Sequence, residues 1–449
     1  MEKISAQLEL VQSYVGGLPL VVVLLATGIF LTIRYRFIQI KRFRHGLDLI
    51  SGKYDDPKEA GDITHFQALS AALSATIGTG NIAGVATAIA AGGPAAIFWY
   101  WVTGILGMVN KFASAMLGLR YRVLHEDGSA SGGPMYYLAR GMGLKWLGFL
   151  FALFGAIASF GIGDMVQANS VAKPLEENLG VPTYITGGVI GVLVALVIIG
   201  GIRRIGKVAS RIVPFMCACY VAGALIILIL NIDKIPQAFG LIFKHVFTPT
   251  AAAGGFVGAT VAQTMRFGVV RGLFSNEAGL GSASIAHSAA KTREPVREGL
   301  VAMLGPFFDT LIICTMTALV IIITGSWTSG LTSSPLSSYA FDLGLPGIGK
   351  WIVTFGLVFF AFSTMISWSY YGDRCTEYIL GSKAVMPYRW IFVLCIPLGA
   401  IVKIDFVWRL SDITNGLMAF PNLIGIVGLS GVGAKLIKDY FSREQKPLR

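Results

Sequence analysis

Charged side chains are scarce in this chain: Asp, Glu, Lys and Arg make up 13% of its 449 residues, about half the share of an ordinary soluble domain. That shortage excludes a water-covered surface over most of the sequence. Acidic residues are the rarer sign, 24 against 36 Lys and Arg, so the net charge is +12. Cysteine is sparse too. The five, at 217, 219, 314, 375 and 395, are odd in number and lie outside any loop framework, which excludes a disulfide scaffold and leaves free thiols. There is no metal-ligand spacing, no nucleotide-binding loop and no nucleophile–base pair in the apolar segments, so the means of enzyme chemistry are missing. The first apolar run follows Glu2, Lys3 and Glu9 without a basic leader, and so does not read as a cleaved signal peptide.

What the chain does have is hydrophobic length. Residues of hydrophobic type make up 54%. Apolar runs long enough for about 30 Å of hydrocarbon fall near 18–35, 66–92, 94–119, 146–171, 183–201, 212–231, 254–290, 299–324, 351–372, 388–403 and 406–432. The expected architecture is an all-α polytopic membrane protein with eleven transmembrane helices. Stretches between the runs are too short for a core of their own, so residues 1–449 read as a single membrane domain. Residues 235–247 alternate apolar and polar at helical spacing and read as an external amphipathic helix.

Charge sets the orientation. Arg34, Arg36, Lys41, Arg42 and Arg44 follow the first run; placing them in the cytoplasm puts the N-terminus outside, the C-terminus inside and about 26 of the 36 basic residues on the cytoplasmic side. The positive charge is then a matter of topology and anionic lipid rather than a nucleic-acid footprint. Seven tryptophans, at 99, 101, 146, 327, 351, 390 and 408, lie near run ends as an interfacial belt would have them, and Trp368 does not.

Two runs carry a glycine-broken stretch: Ile77-Gly78-Thr79-Gly80-Asn81 in the first half and Ala278-Gly279-Leu280-Gly281-Ser282 in the second. Unwound backbone survives at membrane depth only where it is buried in protein or lines a cavity, and one break per half marks the binding site of an inverted-repeat transporter. Leaving 18–35 aside as an extra N-terminal helix, the rest divides into five plus five, 66–231 and 251–432. At the first break, N–H groups of the half-helix beginning near Asn81 suit a carboxylate. Carbonyls freed near Ser74 to Ile77 suit a hard cation. Gly84 and Ala88 read instead as a small-residue packing face.

These stretches, Thr79-Gly-Asn-Ile-Ala-Gly-Val85 and Ser275-Asn-Glu-Ala-Gly-Leu-Gly-Ser282, resemble the alanine/glycine:cation symporters, also called sodium:alanine symporters, over nearly the whole chain. That family falls within the leucine-transporter-like superfamily of amino acid, polyamine and organocation carriers. Carried over residue by residue, the resemblance implies that Thr79 and Gly80 donate backbone N–H to a substrate carboxylate, and that Phe274 and Ser275, followed by Asn276, face its amine. A sodium ion would lie between the carbonyls of Ser74 and Ile77 and three ligands on a later helix, Phe360, Ser363 and Thr364, whose i, i+3, i+4 spacing puts them on one face. Ser-Thr in a membrane helix also reads as a back-bonded pair. A second cation site would use Thr76, Asn81 and Ser275. Trp368, one turn past Thr364, either shortens the pocket to fit a methyl group or a hydrogen, or is a packing or lipid-facing residue. Where relatives that carry amine neurotransmitters have an arginine for an external gate, this chain has Gly84.

Ionisable residues inside a span need partners or a role. Asp164, with Gln167 one turn along, either meets a substrate ammonium or pairs with Lys111 or Arg271. Glu277 and Asp309 are further candidates for cation or helix-end contacts. The functional expectation is a secondary symporter, not an enzyme, coupling sodium or a proton to uptake of a small neutral amino acid, alanine or glycine, with no nucleic-acid partner and the oligomeric state left open. A rival reading, an ion-only channel or antiporter through Asp164, Glu277 and Asp309, has little need of paired glycine breaks.

Overall fold

Each of the apolar runs contains helix in the computed structural model, which describes residues 15–126, 128–402, 405–445 and 447. Glu2, Lys3 and Glu9, and with them the N-terminal flank ascribed to the outside, lie outside the described residues. The first half comprises Leu18–Arg34, His65–Thr76 and Gly80–Gly92 around the first break, Ala96–Arg120, Lys145–Leu179, Thr183–Ile198 and Gly201–Leu230. The second half comprises Val261–Asn276, the short Ala283–His287, Pro295–Ile323, Gly349–Leu380, Val385–Ile401, Asp405–Gly428 and Ser430–Ser442.

Six helices are long and apolar enough to cross a membrane on their own. Two bent pairs, one at the first break (53°) and one joining Val407–Gly428 to Ser430–Ser442 (56°), raise the number to as many as eight. The expected eleven is thus more than length and composition establish. Residues 254–260, expected inside a span, are instead a looped segment with Thr250 bridged to Ala259 and Ala253 to Phe256, because Gly254 and Gly258 hold left-handed backbone that a helix cannot use.

Both helices that lead into a break start alike. Thr64 and Gln67 form a capping box at the head of His65–Thr76, and Thr260 and Gln263 form the same box at the head of Val261–Asn276. Each satisfies two N–H groups that a helix start leaves unpaired.

Burial sorts the helices into centre and rim. Ala96–Arg120 is buried along most of its length, whereas Gly201–Leu230 and Val385–Ile401 expose rows such as Leu225, Ile226 and Ile229 or Ile391, Leu394 and Leu398. Contiguous apolar surface of that extent suits lipid rather than water. Rim helices meet through small residues: a Cβ on Gly187 would come within 2.7 Å of Ala400 Cβ and 2.8 Å of Pro397 Cα. The amphipathic segment forms a helix, Ile235–Lys244, whose Phe239 and Phe243 pack on Trp101. All five cysteines are free thiols.

Candidate functional site

The first helix ends at Thr76, Ile77 is extended, and helix resumes at Gly80 as a wide π-turn through Gly84. Gly78 N–H, which would otherwise have no partner in the gap, donates to Asn81 Oδ1 at 2.9 Å. The hydroxyl of Thr79 is buried without a partner among the described residues. In the second break Glu277 takes up left-handed backbone, φ 51°, and Gly281 follows at φ 83°. Side chains from three helices satisfy this unwound stretch: Asn276 Oδ1 accepts from Ala278 N–H at 3.0 Å, Asn110 Nδ2 donates to the Ala278 carbonyl at 3.3 Å, and Asn422 Nδ2 to that of Gly279 at 2.6 Å.

The two breaks meet at glycine. A Cβ on Gly80 would lie 3.0 Å from Ser275 Cα and 3.3 Å from the Phe274 ring, so any larger residue would push the two chains apart. Thr79, Gly80, Phe274 and Ser275 are therefore neighbours. Phe274 alone of these is partly exposed; its ring packs on Trp408, and it lines a cavity of about 50 Å³ with Arg271, Asp412 and Asn415. Asn276 turns away to hold the break, its Nδ2 donating to Thr310 Oγ1 at 3.2 Å.

On the opposite side of the first break, Ser74 Oγ donates to the Ser363 carbonyl at 2.6 Å, and Ser363 Oγ lies 3.3 Å from the Ser74 carbonyl. Ser363 and Thr364 each donate to the Phe360 carbonyl at 2.9 Å. A Cβ on Gly78 would sit 2.6 Å from Thr364 Oγ1, which is how Thr364 reaches the gap itself. Ser74, Ile77, Phe360, Ser363 and Thr364 all lie at 2% exposure or less. Back-bonding uses a hydroxyl's one hydrogen and leaves its own lone pairs free, while the two hydroxyls together occupy the Phe360 carbonyl, so a cation that used that carbonyl would have to displace them.

A second polar cluster centres on Asp309. Its carboxylate accepts from Asn81 Nδ2 at 2.7 Å, Ser275 Oγ at 3.1 Å and Thr310 Oγ1 at 2.8 Å. Asn81 and Ser275 are thus brought together, but the Thr76 hydroxyl turns back along its own helix to Ala72 and Leu73. Asp309 thus joins Asn81 and Ser275 in one cluster that Thr76 does not enter through its hydroxyl. Its position is set by a π-helical stretch, Phe307–Cys314, which re-aims side chains in a way helical periodicity cannot register.

Asp164 lies on another π-turn, Gly161–Met165, fully buried, with neither carboxylate oxygen hydrogen-bonded among the described residues. Its expected pairing with Lys111 or Arg271 is not formed. Lys111 faces the charges of Glu277 and Asp309, and Arg271 lies 5.9 Å over the Phe274 ring. Gln167 is anchored through Nε2 to the Ile162 carbonyl at 2.9 Å, and its buried Oε1 points toward Gly78. Trp368 is 1% exposed and so does not face lipid; its indole N–H donates to Glu277 Oε1 at 2.8 Å, and Gly163 packs directly on it.

Unwound helices that meet at the centre of a buried bundle, with polar groups turned into both gaps, define a polytopic secondary transporter. The same overall fold, of the leucine-transporter type, is found in a manganese transporter of Eremococcus coleocola, at TM-score 0.51 and 13% identity over 85% of this chain and 83% of that one. The chain belongs to the sodium:alanine symporter family, whose model matches residues 1–448. It is 50% identical to the sodium/alanine symporter AgcS of Methanococcus maripaludis, covering 94% of each chain. It is also 48% identical to an uncharacterized transporter of Haemophilus influenzae, over 98% of this chain and 97% of that one. Family membership makes it a symporter and not an enzyme.

Proposed function

We propose that this protein couples entry of sodium to uptake of alanine, with glycine as a second substrate. It would do so in an eleven-helix arrangement of one N-terminal helix and a five-plus-five inverted repeat, 66–231 and 251–432, with the N-terminus outside and the C-terminus in the cytoplasm. The repeated capping boxes at Thr64 and Thr260 support the repeat. The observation that supports the functional reading is the contact of Gly80 with Ser275 beside the Ser74–Ser363 pair, since it brings the two breaks together next to a set of buried oxygens.

In this reading the substrate carboxylate takes the backbone N–H groups of Thr79 and Gly80. Its ammonium takes the carbonyls of Phe274 and Ser275, with Asp164 and Gln167 close by to balance charge. Sodium takes the carbonyls of Ser74, Ile77 and Phe360 and the hydroxyls of Ser363 and Thr364, once those hydroxyl protons turn away from Phe360. Asn81, Ser275 and Asp309, with the Thr76 carbonyl, would form the second cation site. Cation and amino acid each favour the occluded arrangement, and transport follows from that shift in population.

Labelled alanine uptake into proteoliposomes tests this. An inward sodium gradient should drive accumulation, and glycine should compete while leucine does not. Uptake that follows a proton gradient without sodium would overturn the coupling ion, and competition by leucine the size limit.

A further inference from the structure

Away from the gaps, the inner ends of the two broken helices share a carboxylate. Glu298 Oε2 lies 2.5 Å from Nδ1 of His65, the first residue of His65–Thr76, and Oε1 lies 2.5 Å from Nδ1 of His287, the last residue of Ala283–His287. The three residues are between 0% and 1% exposed, and Nε2 of both imidazoles is without a partner among the described residues. Backbone ties the same place together. Asp62 N–H donates to the Ala289 carbonyl and Lys291 N–H to that of Ile63, and Arg122 donates to the carbonyls of Ala60, Ser288, Ala290 and Thr292.

We propose that His65, His287 and Glu298 form a binding site for one proton, taken up when the cytoplasmic ends of the broken helices close and given back when they part. The proposal rests on the transport reading and its orientation. Charge counting gives the stoichiometry. With Nδ1–H of two neutral imidazoles donating to an ionised Glu298, the cluster carries one unbalanced negative charge in a buried place. One proton on either Nε2 makes it neutral, and a second would leave an unbalanced positive charge; a buried charge without its counterpart is the costly state on both sides. The surrounding charges largely offset one another. Asp55 and Arg297 face His65, while Arg122 faces Glu298, Glu59 and Asp62, and Asp62 also binds Arg203.

Other packed elements carry charges that are engaged elsewhere. Lys111 of Ala96–Arg120 faces Glu277 and Asp309; Asp373, Arg374 and Glu377 of Gly349–Leu380 bind one another and Arg389; Arg443 beyond Ser430–Ser442 binds Glu294 and Asp439. His45 of Phe43–Ile50 bonds Tyr440, and burial, reinforced by Arg297, holds its imidazole below the usual histidine range. Separating the helix ends would hydrate Glu298 and release the proton, so acid favours the closed junction and alkali the open one.

Imidazole 15N NMR of the full chain in detergent reads the site without transport. Between about pH 6 and pH 8, His65 and His287 should together hold one imidazolium, lost in E298Q. Two neutral rings, two charged rings, or two independent titrations would overturn the proposal. Each cycle must reclose the junction by taking up a proton from inside, so in proteoliposomes with a fixed sodium gradient uptake by the parent should fall by up to about tenfold per unit rise of internal pH, the slope of one proton. H45Q should keep that slope and H65Q/H287Q should lose it. A double variant that transports with the parent's slope, or an active parent with no slope, refutes the proposal. Should the double variant not fold, the parent's NMR decides alone, and absence of sodium-driven uptake at every pH counts against the transport reading rather than the proton site.

Discussion

Gly80 shows how much can depend on one missing Cβ. Valine there would drive its side chain into Ser275 and Phe274 and spread the two breaks. We expect Gly80→Val to remove alanine binding, measured by calorimetry or by scintillation proximity, while the protein still elutes as a single species. Because the proposed carboxylate contacts are backbone donors, alaninamide should also fail to compete, and equal competition by alaninamide would rule out that assignment. Trp368 makes two separable contributions, bulk against Gly163 and an N–H to Glu277. Trp368→Ala should admit valine or leucine in competition assays, at a stability cost of about 3–5 kcal/mol. Trp368→Phe keeps the bulk and drops the hydrogen bond, so it should keep the size limit. If both variants retain the parent's cutoff, the indole is a packing residue and the pocket is bounded elsewhere.

Arg122 and Gly61 act on whole elements. The guanidinium donates to four carbonyls in the segments before the first broken helix and after the second, and Gly61, at φ 138°, sits where a Cβ would lie 2.4 Å from the Ala290 carbonyl. Arg122→Ala would leave buried carbonyls short of donors, each such loss costing about 1–3 kcal/mol. Gly61→Ala would part the segments by sterics alone. Both should make this end of the broken helices easier to open, seen as faster hydrogen exchange across 60–65 and 286–292, with exchange in Thr183–Ile198 unchanged. Protection equal to the parent's would mean that the junction is held by the helices around it.

Across the whole molecule, a bound cation stabilises whichever arrangement closes around it. Sodium at about a hundred times its dissociation constant should add about 2.7 kcal/mol to the folded protein, read as a rise in melting temperature over choline at equal ionic strength. Ser363→Ala and Thr364→Ala should each blunt that rise and raise the sodium concentration for half-maximal uptake several-fold. An unchanged sodium response in both variants would remove Gly349–Leu380 from the cation site.

Helical class, the location of both breaks and the Ser-Thr face at 363 and 364 were legible in the sequence, because hydrophobic length, glycine and i, i+3, i+4 spacing are local properties of the chain. Tertiary structure alone decided which buried charges meet. Lys111 turned out to face Glu277 and Asp309 rather than Asp164, and Asp309 became the centre of the Asn81 and Ser275 cluster. His65, one residue before the apolar run at 66–92, shares Glu298 with His287 although 233 positions separate it from that carboxylate. Such pairings depend on which way a side chain turns across a helix interface, and π-turns at Gly80–Gly84, Gly161–Met165 and Phe307–Cys314 shift that direction away from the regular helical period. A residue's own sequence neighbourhood contains the period but not the partner, and the partner decides where the charge goes.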